Sequence, residues 1–493
     1  MAKSLFLCIF KDMSQIVLSR KNIVGRNKQI DALEKYLNSD TSEFIALYGR
    51  RRVGKTFLVK EALRECMLLH FTGREGASLS QQLLNFHYAL VDAGGCETVP
   101  QNWTEAFRYL SKFLEASAAE TKVLFIDELP WLDTAKSGFL GALEYFWNNW
   151  ASYRNDIKLI VCGSATSWML NKVINSRGGL HNRVTHRMLV SPFSLSEVEE
   201  FFRSKNFAYE RGEIVECFMA FGGIPYYLSL FEKDKSVAQN INDLCFIKGA
   251  ELEGEYERLF KSLFKNSARY SAVIEVLSNK CCGMTRQDIV DEAGLVNNGN
   301  VSTMLKELEE CEFIRSYTPF GKSTKEKLYQ LIDLYTLFYF RFIKGKRTFT
   351  KNYWLKIQST VGYSAWCGYA FENVCLHHLE QIIDALGIDG IISDACSWSY
   401  RPKKKEDGKG AQIDLLIDRS DKVVNVCEMK YSQSEYEITK DYFLKIQERI
   451  NTFRQVTKTK KSVVPIFITS YGLQDNANAR KIAKSITMDQ LFK

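Results

Sequence analysis

Short apolar runs recur along the first part of the chain, and each of them stops at a glycine or at polar residues. Runs of this kind are typical of strands buried on both faces, as in a parallel sheet covered by helices. Between the runs, apolar residues recur every three or four positions, as at Ile30, Leu33 and Leu37, which is the period of an amphipathic helix. We therefore predict an α/β domain. Its predicted strands cover residues 44–48, 67–72, 122–126 and 157–162.

The middle of the chain, residues 265–345, has a different order of elements. Short helical patterns come first, and two strand-like runs joined by a polar loop follow them. This is the order of a winged helix-turn-helix, whose recognition helix enters the DNA groove. The predicted helices cover residues 270–277, 285–293 and 300–310, and the predicted strands cover residues 313–317 and 327–331.

The charges on this middle domain leave its role open. Its third helix ends in a run of acids, Glu307 to Glu310, which opposes contact with phosphates. The loop between the two strands, the wing, carries Lys322, Lys325 and Lys327 and is the better candidate for DNA contact. Contact with DNA and a purely structural connector are both compatible with this pattern.

The pattern changes again from about residue 363 to the end of the chain. An amphipathic helix over residues 370–379 is followed by strand-like runs that predict a second sheet. A basic turn at residues 401–409 precedes the first of these runs. The runs are residues 411–418, 423–430 and 463–469.

The first apolar run passes into a glycine-rich basic loop and then into a helical pattern, which is the context of a phosphate-binding P-loop. The glycines let backbone N–H groups face a phosphate, the lysine adds positive charge, and the threonine hydroxyl can hold Mg²⁺. A chance match in a basic turn does not account for the strand and the helix on either side. The predicted nucleotide-binding residues of the loop are Gly49, Arg50, Arg51, Arg52, Val53, Gly54, Lys55 and Thr56.

A pair of acids follows the third apolar run. Asp127 and Glu128 stand where a buried parallel strand ends, next to the predicted position of the P-loop. Asp127 is predicted to hold the Mg²⁺ shell, and Glu128 is predicted to activate the water that attacks the γ-phosphate. The combination predicts an NTPase that hydrolyses its nucleotide.

Two further residues are candidates for the same reaction. Ser164 ends the fourth apolar run and is either a polar sensor of the nucleotide or the cap of the following helix, or both. Arg183 lies in a basic stretch and could stabilise transition-state charge in a neighbouring subunit, the alternative being a solvated loop.

Taken together, these motifs resemble the archaeal-type ATPase family, a branch of signal-transducing P-loop ATPases related to AAA+ proteins. The resemblance covers roughly residues 20–240 and implies that Gly25 and Arg26 pack near the adenine. It also implies that a Gly-Gly-x-Pro element couples the nucleotide to a helical lid. The motifs are Gly25-Arg26, Gly49–Thr56, Asp127-Glu128, Gly163-Ser164, Ser191-Pro-Phe193 and Gly222–Pro225.

The last domain carries a second set of acids. Asp414 lies on one predicted strand, and Glu428 and Lys430 share a face of the next. Two carboxylates can hold Mg²⁺ or Mn²⁺, and a lysine beside them can steady a developing anion. With Glu372 on the preceding helix, the pattern resembles the PD-(D/E)xK nuclease fold, although Ile413 stands where that family has proline. Two amphipathic strands with surface ion pairs are the alternative.

The composition is that of an ordinary globular protein with 493 residues, 46% hydrophobic side chains and a net charge of +8. The thirteen cysteines show no metal-site spacing, which predicts reduced thiols in a cytoplasmic protein. No membrane segment is expected, because the most apolar later run, residues 328–343, contains Asp333 and Arg341. The predicted parts are an N-terminal extension, an ATPase core, a helical lid, a winged-helix domain and a nuclease-like domain. They cover residues 1–22, 23–190, 191–264, 265–345 and 346–493.

These patterns predict an ATP-hydrolysing, AAA+-like protein whose nucleotide state controls a C-terminal metal-dependent DNA nuclease. The expected cofactors are ATP and Mg²⁺, with Mn²⁺ as a further option at the nuclease site. The expected partner is DNA, and a homo-oligomer is possible. An alternative is an ATP-dependent signalling switch or DNA-binding regulator whose nuclease fold is not catalytic.

Overall fold

The computed structural model describes residues 15–175, 178–280, 282–345, 352–402 and 410–493. The chain divides into two compact units, which meet in sequence between Ser191 and Pro192. Most of the predicted N-terminal extension and part of the basic turn, residues 403–409, lie outside the described residues.

The first unit is built around a five-stranded parallel sheet with the order β2-β3-β4-β1-β5. Helices separate successive strands along the chain, as the apolar pattern predicts. The strands are β1 Glu43–Tyr48, β2 Met67–Thr72, β3 Lys122–Asp127, β4 Ile157–Gly163 and β5 His186–Leu189. The helices are α1 Asn27–Leu37, α2 Lys55–Ala62, α3 Leu79–Asp92, α4 Trp103–Ala116, α5 Phe139–Asn149 and α6 Thr166–Trp168, which continues as π-helical turns over Met169–Ile174.

The central strands of this sheet are covered on both faces. All residues of β3 and β4 are buried, including Lys122 and Lys158 at their amino ends. Lys158 Nζ donates to the carbonyl oxygens of Ser39 and Thr41, so the buried ammonium group is hydrogen-bonded. Parallel pairing brings the carboxyl ends of the strands to one edge, where Asp127 and Gly163 end β3 and β4.

The second unit begins with a group of helices that occupies most of the predicted lid. Gly222 ends α8 in a left-handed conformation, and Pro225 begins α9. Phe193 N donates to Gly223 O at 2.8 Å, so two of the motifs quoted above meet through the backbone. The helices are α7 Leu195–Ser204, α8 Arg211–Phe221, α9 Pro225–Ser229, α10 Val237–Cys245 and α11 Glu255–Leu263.

The middle segment has the order of elements that the sequence predicts: helices, then a hairpin. Asn298 caps the third helix through its side chain, and Thr285 caps the second. The three strands form one antiparallel sheet with the order β6-β8-β7. The elements are α12 Ser267–Ser278, β6 Met284–Thr285, α13 Arg286–Glu292, α14 Gly299–Glu310, β7 Ile314–Tyr317 and β8 Leu328–Leu331.

The last part contains a mixed five-stranded sheet with the order β13-β12-β11-β10-β9. Strands β9, β10 and β11 are antiparallel neighbours, and β12 and β13 add parallel to β11. The strands are β9 Ser393–Tyr400, β10 Ala411–Arg419, β11 Val423–Lys430, β12 Ser462–Thr469 and β13 Lys484–Thr487. The helices are α15 Leu334–Phe338, α16 Tyr353–Ile357, α17 Val361–His377, α18 Leu379–Leu386, α19 Lys440–Thr457 and α20 Met488–Leu491.

Within the described ranges, no helix is both long enough and apolar enough to cross a membrane.

Candidate nucleotide site and candidate metal centre

The glycine-rich loop between β1 and α2 is folded around its lysine. Lys55 is the first residue of α2, and its Nζ donates to Gly49 O at 2.7 Å and to Arg50 O at 2.8 Å. Gly54 has a φ of 88°, a conformation that favours glycine, and turns the chain into the helix. The loop therefore presents a helix amino terminus and an ammonium group at the carboxyl edge of the sheet, which is where a phosphate is bound in such loops.

The threonine of the loop meets the acid at the end of β3. Thr56 Oγ1 donates to Asp127 Oδ2 at 2.9 Å, and Asp127 Oδ1 accepts from Glu128 N at 3.0 Å. Burial raises the pKa of Asp127, and the neighbouring charge of Glu128 raises it further. A hydroxyl and a carboxylate side by side are oxygen ligands of the kind that Mg²⁺ takes, so these residues fit the expected cation.

The second acid is held by the residue that follows β4. Glu128 has a φ of 48°, and its Oε1 accepts from Ser164 Oγ at 2.5 Å while its Oε2 accepts from Ser164 N at 3.2 Å. The expectation that Ser164 caps the next helix is wrong, because Ala165 is the N-cap of α6 and no side chain caps it. The role of Ser164 as a nucleotide sensor stays a prediction.

The remaining predicted nucleotide-site residues are the Gly25-Arg26 element and the three arginines of the P-loop. Gly25 and Arg26 precede α1, and Arg26 Nη2 donates to Val53 O at 3.0 Å, which ties this element to the P-loop. The three loop arginines differ in burial, since Arg50 is buried, Arg52 is half-buried and Arg51 is exposed. The Gly25-Arg26 element therefore contacts the P-loop directly, through Arg26.

Arg183 is exposed and lies far from the P-loop of its own chain. Thr185 N donates to Phe44 O, so the residues just before β5 lie beside the amino end of β1. A strand of this length separates them from the P-loop at the other end, a distance of about 17 Å. Arg183 therefore lies near the end of β1 opposite the P-loop, and its expected role in a neighbouring subunit stays a prediction.

The carboxylates of the last domain gather at one end of the mixed sheet, β9 to β13. Leu415 lies opposite Cys427 in the antiparallel pairing of β10 and β11, so the next positions, Asp414 and Glu428, follow at the same end. Glu372 comes from α17, which packs against β11. Burial raises the pKa of Glu372 to about 8, and the charges of Asp414 and Glu428 add to this while Lys430 opposes it.

Both carboxylate oxygens of Glu428 accept hydrogen bonds. Its Oε1 accepts from Lys430 Nζ at 2.8 Å and from the Tyr442 hydroxyl, and its Oε2 accepts from Arg449 Nη1 at 2.5 Å. Burial alone would raise the pKa of Glu428, but the charges of Lys430 and Arg449 outweigh it and lower that pKa. Asp414 Oδ1 accepts from Gln412 Nε2 at 2.6 Å.

These acids fit a divalent cation by their chemistry. The donors are hard carboxylate oxygens, and the pKa of Glu372 is raised chiefly by its burial and further by the charges of Asp414 and Glu428. In the arrangement that the structure describes, however, no three His, Cys, Asp or Glu side chains in the described ranges converge closely enough to surround one ion. Cation binding would therefore require Glu428 to exchange at least one of its present partners.

Comparisons with known proteins agree with the geometry of the first unit. Residues 23–231 match a family described as an ATPase domain predominantly from Archaea. This chain carries an archaeal-type ATPase domain. An uncharacterized protein of Methanocaldococcus jannaschii is 27% identical over 83% of this chain and 87% of its own length. An uncharacterized ATP-binding protein of the same organism is 48% identical over 40 residues, which are 8% of this chain and 68% of that protein.

Solved structures give a weaker likeness. A Walker-type ATPase of Pyrococcus abyssi has a TM-score of 0.49 and 18% identity, covering 65% of this chain and 97% of its own. The ORC2 protein of Aeropyrum pernix has a TM-score of 0.41 and 14% identity, covering 66% of this chain and 95% of its own. The match to the ATPase domain ends at residue 231, so the winged-helix and nuclease-like assignments rest on the residues themselves.

Sequence reasoning missed the two donors that α19 supplies beyond the ATPase domain. Tyr442 and Arg449 are seven residues apart, with buried Ile446 between them, so they lie on the same side of the helix. The spacing of seven residues between Tyr442 and Arg449, together with the Glu-x-Lys pattern on the strand before them, is the sequence signal that could have identified these two donors.

Proposed function

We propose that the ATPase domain binds ATP and hydrolyses it. The observation that carries this proposal is the gathering of Lys55, Thr56, Asp127 and Glu128 at the carboxyl edge of one parallel sheet. Lys55 would leave the loop carbonyl oxygens for the β- and γ-phosphates, and Glu128 would orient the attacking water. Mg²⁺, held through Thr56 and Asp127, would neutralise phosphate charge when bound.

The test is a pair of substitutions read in two assays. Lys55→Ala should abolish ATP binding, whereas Glu128→Gln should retain binding and lose hydrolysis, because the lysine contacts the nucleotide and the glutamate acts on water. Equilibrium binding of a fluorescent ATP analogue and phosphate release separate the two effects. Unchanged phosphate release by Glu128→Gln would contradict the role assigned to that acid.

We further propose that the C-terminal domain is a metal-dependent DNA nuclease. The proposal is carried by Glu372, Asp414, Glu428 and Lys430, which come from three elements to one end of the sheet. The antiparallel β9-β10-β11 unit extended in parallel by β12, with α17 packed against β11, supports the likeness to the PD-(D/E)xK fold. A divalent cation held by Asp414 and Glu428 would activate water and polarise the phosphate when bound.

The proposed coupling between nucleotide and nuclease is supported by contacts inside the second unit. His378, just beyond α17, accepts from Leu195 N at the start of α7, at 3.0 Å. Tyr431, next to Lys430, donates to Glu216 Oε1 on α8 at 3.1 Å. The lid helices therefore contact both the helix that carries Glu372 and the strand that carries Lys430, which gives a route by which lid movement could alter the nuclease site.

DNA is the proposed partner, and two observations bear on how the winged helix would meet it. The acids at the end of α14 have partners in the protein, since Glu307 accepts from Tyr270, Glu309 accepts from Ser316, and Glu310 pairs with Lys306.

The wing, in contrast, packs on the last domain. Phe320 N donates to Ser397 O, and the ring centroids of Phe320 and Phe453 lie 5.1 Å apart. The connector role is therefore supported for the wing, and α14 is the stronger candidate for DNA contact.

A nuclease assay on the full chain tests the combined proposal. DNA cleavage is measured with Mg²⁺ or Mn²⁺, with and without ATP, for the wild type, Lys55→Ala and Glu428→Ala. We expect Glu428→Ala to abolish cleavage and to keep ATP hydrolysis, and Lys55→Ala to abolish the effect of ATP on cleavage. Cleavage that survives both Asp414→Ala and Lys430→Ala would exclude a nuclease at this site. If neither the wild type nor any variant cleaves DNA while ATP hydrolysis is intact, the alternative function, a signalling switch or DNA-binding regulator, is favoured.

A further inference from the structure

The guanidinium group of Arg449 occupies one side of the proposed metal ligand. Arg449 Nη1 lies 2.5 Å from Glu428 Oε2, while Lys430 and Tyr442 engage Oε1. The side chain of Glu428 is 10% exposed, whereas that of Arg449 is 25% exposed. Both cationic partners are more exposed than the carboxylate they hold, since the side chain of Lys430 is 30% exposed.

The charges explain why an arginine stands there. Glu428 is the buried carboxylate at this end of the sheet, and Lys430 and Arg449 are the cationic side chains that pair with it. An isolated buried carboxylate is costly, so Glu428 needs a second positive partner when no metal is bound. Arg449 supplies that charge from α19, an element separate from the strands that carry Asp414 and Glu428.

A divalent cation and Arg449 cannot both engage Glu428 Oε2 in this way. Both are positive and both need the same oxygen, so they repel each other at contact distance. Lys430 can remain on Oε1, because a lysine beside the metal is part of the proposed nuclease pattern. Binding of the cation at this oxygen therefore requires the partly exposed side chain of Arg449 to move away.

We propose that Arg449 is a positioning residue that holds Glu428 in the metal-free protein and competes with the divalent cation for its carboxylate. This inference rests on the proposed nuclease function. In the metal-free site, the guanidinium group of Arg449 takes the place beside Glu428 that the metal would occupy. Once released on metal binding, this guanidinium group suits a DNA phosphate.

Direct measurement of Mn²⁺ binding to the full-length, nucleotide-free protein tests the proposal. Free Mn²⁺ is followed by electron paramagnetic resonance, and only the binding that Glu428→Ala removes is assigned to this site. Arg449→Met keeps the length of the side chain and removes its charge, so it should bind Mn²⁺ about tenfold more tightly, a change of about 1.4 kcal/mol. Arg449→Lys should remain close to the wild type.

Two controls separate charge competition from a general disturbance of the site. Tyr442→Phe removes a neutral donor from the same carboxylate and should change Mn²⁺ affinity far less than Arg449→Met. Arg454→Met removes an arginine from the same helix whose Nη2 donates to Val463 O at 3.3 Å, and it should have no effect. An unchanged thermal unfolding profile of the full chain shows that each variant is folded.

The outcomes distinguish this inference from the function on which it rests. If the wild type binds Mn²⁺ through Glu428 and Arg449→Met binds it equally or more weakly, the competition is refuted and the nuclease proposal stands. If no Glu428-dependent binding is found in the wild type or in Arg449→Met, both proposals fail. If Arg449→Met alone shows it, the arginine blocks the site in the wild type, which supports the competition in its strongest form.

Discussion

Ser164 and Glu128 show how one hydroxyl group can set the orientation of a predicted catalytic acid. Both oxygens of Glu128 accept hydrogen bonds from the hydroxyl and the backbone N–H of Ser164, and neither partner is fully exposed. Glu128 also holds a positive φ, which a non-glycine residue adopts only when its surroundings support it. The serine therefore positions the acid relative to the P-loop without being part of the loop.

Ser164→Ala should lower the rate of ATP hydrolysis by about tenfold and leave ATP affinity nearly unchanged. The physical reason is that the alanine removes the donor to Glu128 Oε1 and touches no phosphate-binding group. Single-turnover hydrolysis and equilibrium binding measure the two quantities. Ser164→Thr, which retains the hydroxyl, is the matched control, and an equal rate for wild type and Ser164→Ala would refute the positioning role.

His378 gives a pH-dependent prediction at the same scale. The ring is buried, donates from Nδ1 to Val374 O at 2.8 Å and accepts at Nε2 from Leu195 N at 3.0 Å. Burial lowers the pKa of His378 to about 4, so the folded protein holds it neutral while the unfolded chain binds a proton below pH 6.5. Its contribution to stability is therefore complete above pH 6.5 and is lost as the pH falls towards 4.

The difference in stability between wild type and His378→Gln should accordingly shrink as the pH is lowered from 7 to 5. The expected slope is about 1.4 kcal/mol per pH unit once the pH is well below 6.5. Urea unfolding followed at several pH values measures the difference, and His377→Gln, which removes a more exposed histidine one position away, is the control. A difference that stays constant over this range would contradict a neutral, buried His378.

At the scale of elements, the Gly-Gly-Ile-Pro turn joins two lid helices and fixes the entry of the chain into the lid. Gly222 and Gly223 both have positive φ values, which accommodate the sharp change of direction between α8 and α9. A Cβ atom at Gly223 would collide with the carbonyl oxygen of Phe193, whose N–H group bonds to Gly223 O. The second glycine is thus required both by conformation and by close approach.

Gly223→Ala should destabilise the second unit much more than Gly249→Ala does. Both glycines have positive φ values, at 69° and 77°, but nothing lies within 4 Å of a Cβ placed at Gly249. The control therefore carries the conformational cost alone, about 1–2 kcal/mol, while Gly223→Ala adds a steric clash with the backbone. Thermal melting compares them, and equal shifts in Tm would show that Phe193 does not constrain the turn.

At the scale of the whole molecule, the lid helices and the last domain belong to one compact unit although residues 265–345 separate them in sequence. Besides His378 and Tyr431, Arg211 on α8 pairs with Asp489 at 2.8 Å. The junction therefore contains polar contacts from His378, Tyr431 and Arg211. Polar contacts of this kind can be exchanged when a lid moves, which suits a regulated connection.

Tyr431→Phe should reduce the factor by which ATP changes DNA cleavage and leave ATP hydrolysis at its wild-type rate. The substitution removes the hydrogen bond to Glu216 and keeps the aromatic ring next to Lys430. Cleavage rates with and without ATP give the factor directly. Tyr209→Phe, whose hydroxyl bonds to Lys235 O within the lid, is the control, and the same ATP effect in both variants would exclude this coupling route.

The sequence by itself determined strands β1 to β4, β7, β8 and β10 to β12, the P-loop, the acid pair, and the order of helices and hairpin in residues 265–345, because these depend on local spacing and on runs of apolar residues. Tertiary structure decided the partners of each acid. It placed Ser164 against Glu128 and not on a cap, Arg449 and Tyr442 against Glu428, and the wing against the last domain. Such choices depend on which elements pack together and on how buried charges find opposite charges, and neither is written in local sequence.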